Sequence, residues 1–456
     1  MEAALQAERP APNRLLRVVG LTFGIAAVIG GTIGGGILRT PGTIAGMLQD
    51  PLLILAVWLG CGALVLISAN SMAELAAALP RAGGPFEYCK VAFGRFAGFA
   101  VGWSDWLTNV CALAFLSVAA GEFSVSLLHV PESHVTTIAL AVLALMTAIN
   151  WFGLRLGARI QEVLSFAKLA GLTVIVIACF VHAVRGGTTE FAAPAAGVAP
   201  LAPAAWLLIV VRSMQLMYET YQGWNSGVYF AEEDRDGGRN LPRAMFIGIA
   251  LIITIYMLIN LAVLLVVPLP QLAVSKLAVA DAAGVVFGGA AGRIVTGLAL
   301  VSLLGILNIL VMYTPRVLYA LGRAGLGVDS AARVNDWGTP GRATVISVAC
   351  AALLATAGTF DALFEITAFI GMLVNSAVMM ALFRLRQSHP DLDRPYRAKG
   401  YPWLPAIALA TTLALLVAVV FANPRTSLAA CALLGLSYPV FVWLQRRPAL
   451  QSRPAA

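Results

Sequence analysis

The sequence predicts an all-α polytopic membrane protein of twelve transmembrane helices, built as a five-plus-five inverted repeat. Helices 1 and 6 are broken at the membrane midplane, and helices 11 and 12 stand outside the repeat. Three observations carry this expectation. Of 456 residues, 60% are hydrophobic and only 11% charged, with a mean hydropathy of +0.86, whereas soluble domains carry about 25% charged residues. About twelve apolar runs, each near the roughly 20 residues needed to cross hydrocarbon, fill nearly the whole chain. The first and sixth runs are interrupted by glycine and polar residues, and two broken helices five spans apart are the pattern of an inverted repeat with a midplane site.

Taken in order, a tail at 1–17 precedes spans near 18–47, 51–79, 95–128, 135–153, 159–184, 204–231, 241–267, 290–322, 341–359, 362–384, 402–421 and 427–445, and a second tail covers 446–456. Residues 18–445 form one membrane domain, with repeats at about 18–184 and 204–384 and helices 11 and 12 at about 402–445. The first tail has two prolines, three arginines, Glu2 and Glu8, and no small-residue cleavage site, so no signal peptide is expected. Of the 30 basic residues, 23 fall in the tails and even-numbered connections, which places both termini in the cytoplasm. The net charge of +8 is therefore a topology signal, and no nucleic-acid partner is expected.

The six cysteines lie in or beside apolar runs without a CxxC pair, and the four histidines form no constellation, so no metal is expected. The glycine run lacks the Gly-Lys-Ser/Thr ending of a phosphate loop, and no nucleophile and base arrangement is found. Neither a cofactor nor an enzyme is indicated.

The first break lies in Val28-Ile29-Gly30-Gly31-Thr32-Ile33-Gly34-Gly35-Gly36-Ile37. Each interior glycine costs a helix roughly 1 kcal/mol relative to alanine, and a break leaves peptide groups unsatisfied unless something else binds them. A bound solute satisfies that need; the alternative is close helix packing through Gly30 and Gly34, which have GxxxG spacing. The second break lies in Leu216-Met217-Tyr218-Glu219-Thr220-Tyr221-Gln222-Gly223-Trp224-Asn225. Together the two breaks suggest a secondary transporter with its substrate between helices 1 and 6.

At these segments the sequence resembles the amino acid–polyamine–organocation superfamily. Ile33-Gly34-Gly35-Gly36-Ile37 ahead of Pro41 matches its first-helix signature. Glu74-Leu75 through Pro80-Arg81-Ala82-Gly83-Gly84-Pro85, Ala231-Glu232-Glu233 through Asn240-Leu241-Pro242-Arg243-Ala244, and Arg394-Pro395-Tyr396-Arg397 with Tyr401-Pro402-Trp403-Leu404-Pro405 match later stretches in family order. Gly223-Trp224-Asn225 and the Glu-Glu pair look most like its L-type amino acid transporter branch. The resemblance implies the leucine-transporter-like fold. It also implies that an amino acid's carboxylate is held by N–H groups near Ile33, Gly34, Gly35 and Gly36, and its ammonium by carbonyls of both broken helices.

Glu219 departs from relatives, which usually place an aromatic or apolar residue there. Its readings are direct substrate contact, a proton site, or an ion pair with Arg39 or Arg212. Lys168 matches the family's fifth-helix lysine, which stands where sodium-coupled relatives of the fold hold sodium. It implies sodium independence and contact with carbonyls at the end of the first helix's inner half. Asn109 is either a substrate contact or a helix-packing amide, and Asp105 is a proton site or the partner of Lys168. Tyr218, Thr220, Tyr221 and Trp224 form a gate or side-chain pocket, with packing as the alternative for the aromatics. Arg39 is grouped with the gating residues, Asn308 is a weaker candidate, and Glu74, Glu232 and Glu233 are expected to pair with loop arginines.

The expected function is sodium-independent secondary transport of L-amino acids across the cytoplasmic (inner) membrane by alternating access, as exchanger or proton-coupled symporter. Neutral amino acids come first and cationic amino acids or amines second. A receptor that binds without transport is the rival. The expected partners are the substrate, protons if coupling uses them, and lipid, around a monomer or homo-oligomer with no obligatory disulfide-linked subunit.

Overall fold

Hydrocarbon offers no water to peptide groups, so apolar runs fold as helices whose backbone hydrogen bonds close within the run. The computed structural model describes residues 15–186, 203–357 and 360–446, and no strand occurs among the described residues beyond a single bridge between Val19 and Asp234. Residues 1–14 and 447–456, and most of the loop from Arg185 to Pro203, lie outside the described residues.

The first expected span is two helices, α1 (Leu21–Thr32) and α2 (Gly36–Leu48). There follow α3 (Pro51–Ala78), the short α4 (Pro85–Phe93), α5 (Arg95–Leu128), α6 (Val135–Trp151) and α7 (Leu154–Val184). The second half comprises α8 (Pro203–Thr220), α9 (Gly237–Val266), the short α10 (Leu269–Leu272), α11 (Ala278–Phe287), α12 (Ala291–Arg323), α13 (Gly341–Thr356) and α14 (Phe360–Ser388). Last come α15 (Trp403–Ala422), α16 (Pro424–Gly435) and α17 (Ser437–Gln445). Among the described residues nine helices are long and apolar enough to cross a membrane, and α1 with α2, bent by 46°, make a tenth. α13 is apolar but shorter, at 16 residues. The chain is thus a polytopic, all-helical membrane protein.

Both breaks are present, displaced slightly from their sequence positions. Residues 33–35 are the non-helical ones in the first, so Gly36 already belongs to α2. α8 keeps its helix through Thr220 and unwinds over 221–225, leaving Glu219 in the last helical turn. The breaks abut: Gly223 has φ +97°, and a Cβ there would overlap the carbonyl of Gly31. The Tyr256 hydroxyl on α9 lies 3.3 Å from the Thr32 carbonyl and 3.1 Å from the Thr220 carbonyl, within donating distance of the ends of both broken helices. Behind them Trp58, Tyr221 and Tyr256 pack with ring centroids 5.0 to 6.0 Å apart.

Close packing, the alternative reading for Gly30 and Gly34, is seen at both, a Cβ on Gly34 meeting the Ile306 side chain at 2.5 Å. A Cβ on Gly30 would strike the side chains of Gln161 and Ser165 on α7. Gly35, by contrast, has open space where its Cβ would be.

At the side where α1 begins, buried charge closes the bundle. Glu233 holds Arg316 through contacts of 2.5 and 2.7 Å, and the guanidinium lies over the Phe230 ring at 4.7 Å. The amides of Val18 and Val19 donate to the Glu233 carbonyl at 3.0 and 3.2 Å. Glu232 pairs with Arg323 and accepts from the Ala82 amide, while Glu74 accepts from Arg386 and the Ala398 amide and lies 3.1 Å from Arg394. Burial pushes the Glu232 carboxyl up, but those hydrogen bonds outweigh it and leave it below the usual range.

The glycines separate in a test. Gly223→Ala must place a side chain at positive φ against a carbonyl, so thermal unfolding in detergent should register a loss of about 1–3 kcal/mol. Gly35→Ala should unfold with the parent, within about 0.5 kcal/mol. Equal behaviour of the two variants contradicts this account of the breaks.

Candidate functional site

A cavity of about 300 Å³ lies where the two broken helices meet. The break between α1 and α2 and the end of α8 form one wall, and α5, α12 and α14, the third, eighth and tenth expected spans, form the others. The amides of Gly34, Gly35 and Gly36 make no hydrogen bond among the described residues. They stand at the N-terminus of α2, where aligned peptide dipoles amount to about half a positive charge. The carbonyl ends of α1 and α8 supply the opposite pole, so the backbone itself polarises the cavity.

Lys168 fixes the first break from behind. Fully buried on α7, its ammonium donates to the Gly30 and Ile33 carbonyls, both at 2.8 Å, and Ser165 on the same helix donates to the Ala26 carbonyl at 2.8 Å. Two carbonyls orphaned by the break thereby gain a charged donor. Gly305 on α12 leaves room for this chain, since a Cβ there would lie 3.3 Å from the ammonium.

Asp105, on α5, is only 6% exposed. Its Oδ1 accepts from the Tyr229 hydroxyl at 2.8 Å and the Asn109 amide at 3.4 Å, while Oδ2 has no partner. Tyr313 on α12 donates to Asn109 at 3.2 Å and stacks on Tyr229, with ring centroids 4.4 Å apart and planes at 7°. Glu219 lines the cavity from α8, and its Oε1 is buried without a hydrogen-bond partner. The next residue, Thr220, joins α8 to α2 through a 2.9 Å contact with the Thr40 hydroxyl.

Of the residues singled out in the sequence, the structure brings Gly34, Gly35, Gly36, Asp105, Asn109, Glu219 and Thr220 to the cavity lining. Others are turned away from it. The Ile33 side chain is buried and its carbonyl is taken by Lys168. Tyr218 is buried and its hydroxyl accepts from the Asn375 amide at 3.4 Å, Tyr221 lies against Trp58 and Tyr256, and Trp224 is buried. Asn308 belongs to an interior network with Asn150, Gln161 and the Gly157 carbonyl.

Two pairings are corrected. Among the described residues Glu219 forms no ion pair, and Arg39 and Arg212, the partners considered for it, are both exposed. Asp105 does not partner Lys168, whose ammonium donates to the Gly30 and Ile33 carbonyls; the partners of Asp105 are Tyr229 and Asn109. Tyr229 and Tyr313 are among the lining residues that sequence reasoning missed, since both lie outside the two interrupted stretches, Val28–Ile37 and Leu216–Asn225. Gln222 and Asn225 also line the cavity and were inside the second interrupted stretch.

A helical membrane protein with a polarised internal cavity between two broken helices has the build of a solute transporter. Residues 15–436 match the amino acid permease family, and the chain belongs to it. It is 29% identical to the b(0,+)-type amino acid transporter 1 of Oryctolagus cuniculus over 455 residues, covering 97% of this chain and 91% of that one. It is 26% identical to the serine/threonine exchanger SteT of Bacillus subtilis (strain 168), covering 96% and 99% of the two chains. With the large neutral amino acids transporter small subunit 2 of Mus musculus it shares 27% identity, covering 95% and 82%.

Replacing Lys168 by alanine should leave a monodisperse protein in detergent while substrate flux in liposomes falls about tenfold or more, the worth of one charge-assisted hydrogen bond. Unchanged flux in that variant contradicts the role given to the ammonium.

Proposed function

We propose that the protein carries L-amino acids across the cytoplasmic membrane by alternating access, independently of sodium, as an exchanger or with proton coupling. The observation that carries this reading is the row of unpartnered amides at Gly34, Gly35 and Gly36 facing the carbonyl ends of α1 and α8 across one cavity. An amino acid presents a carboxylate and an ammonium on adjacent atoms, and the two helix poles match that dipole in sign. Glycine lets the backbone reach the ligand without an intervening Cβ. The ammonium of Lys168 supplies a fixed positive charge to the Gly30 and Ile33 carbonyls, which supports transport without sodium.

The architecture proposed for this function has twelve spans, α16 and α17 together making the last, in two inverted repeats of five with both termini in the cytoplasm. The Glu233 to Arg316, Glu232 to Arg323 and Glu74 to Arg386 pairs then lie at the cytoplasmic gate. Relatives named for serine/threonine exchange and for large neutral amino acids support neutral substrates. The free carboxylate of Glu219 favours a second reading in which cationic amino acids also enter.

The purified protein in liposomes preloaded with an unlabelled amino acid should accumulate the labelled form in the absence of sodium. Saturable binding with no flux under an opposing amino acid or a proton gradient would identify a receptor and end the transport reading.

A further inference from the structure

We propose that Glu219 determines specificity: its carboxylate is an anionic subsite for a second ammonium group on the substrate. Amino acids with a cationic side chain are then taken in preference to neutral ones of the same shape. This rests on reading the cavity as an amino acid site.

The charge balance of the cavity leads to it. Among the described residues that line it, Asp105 and Glu219 are the carboxylates, and no lysine, arginine or histidine lines it. The protein does not neutralise them from outside either. Arg39 and Arg212, on the two helices that meet at the cavity, are exposed, and Lys168, outside the lining, donates to the Gly30 and Ile33 carbonyls. Each acid keeps a buried oxygen without a partner, Oε1 of Glu219 and Oδ2 of Asp105, although Asp105 is 6% exposed and already accepts two hydrogen bonds at its other oxygen.

A buried carboxylate without a partner is costly, and a cation that enters beside it relieves the cost. The backbone poles already account for both charges of a zwitterion, so a neutral amino acid has nothing left to offer the carboxylates. A second ammonium donates charge-assisted hydrogen bonds to the Glu219 carboxylate. Glu219 suits the role because it sits in the last turn of α8, beside the pole that receives the α-ammonium, and is held there by the next residue's bridge to Thr40.

Lysine and norleucine share a side-chain skeleton of similar length and differ chiefly in the terminal ammonium. In proteoliposomes lysine should half-saturate exchange at a concentration about tenfold or more below that of norleucine. Glu219→Gln should bring the two within about twofold by weakening lysine alone, and Glu219→Asp, which keeps the charge, should retain part of the preference. Norleucine bound as well as lysine by the parent, or both weakened equally in Glu219→Gln, overturns the proposal. If the parent moves no amino acid, the transport reading fails separately. The subsite is then judged by thermal stabilisation in detergent, which lysine must give more strongly than norleucine in the parent but not in Glu219→Gln.

Discussion

A peptide group in hydrocarbon must find a partner, and the ammonium of Lys168 meets that constraint for the first break. Both carbonyls it serves belong to the turn in which α1 stops. An unsatisfied group at such depth costs several kcal/mol, so without that donor the run from Val28 to Ile37 would gain by closing into a continuous helix. The bend of 46°, the exposed amides of α2 and the cavity itself all follow from keeping this helix open. Burial of a lysine is the cost, offset because the ammonium replaces its water with two carbonyls.

The second break is held by different means. Gly223 accepts a left-handed backbone and comes against Gly31, Ser226 donates to the Gly223 carbonyl at 2.7 Å, and aromatic side chains fill the space behind. One break is secured by charge and the other by packing. The cavity between them is therefore lined by backbone on one side and by side chains from α5, α12 and α14 on the other. That division fits a site in which a shared chemical group is read by main chain and the variable group by side chains.

Much of this was legible in the sequence because it is local. Glycine runs and polar residues inside apolar segments mark the breaks to within three residues, and a lysine in the middle of an apolar run declares itself. Rotation about a helix axis is not local. Tyr218, Tyr221 and Trp224 share a stretch with Glu219, yet only Glu219 of these four lines the cavity, because each step along a helix or turn re-aims the side chain. The Asp105 to Tyr229 bond joins residues 124 apart, and the stacking of Tyr229 on Tyr313 joins the turn Ser226–Phe230 to α12 with no shared motif. The ion pair considered for Glu219 is not formed among the described residues: Arg39 and Arg212 have suitable spacing along the chain but are both exposed.

Tyr256 stands between the ends of both broken helices, and a hydroxyl has one proton to give. The Thr32 and Thr220 carbonyls, at 3.3 and 3.1 Å, therefore compete for it. In the proposed alternating access, a sliding of α1 past α8 would let the proton pass from one carbonyl to the other by rotation about a single C–O bond, so that a bond made compensates a bond lost. The hydroxyl works as a bearing: it keeps the two half-helices in contact without fixing their relative position.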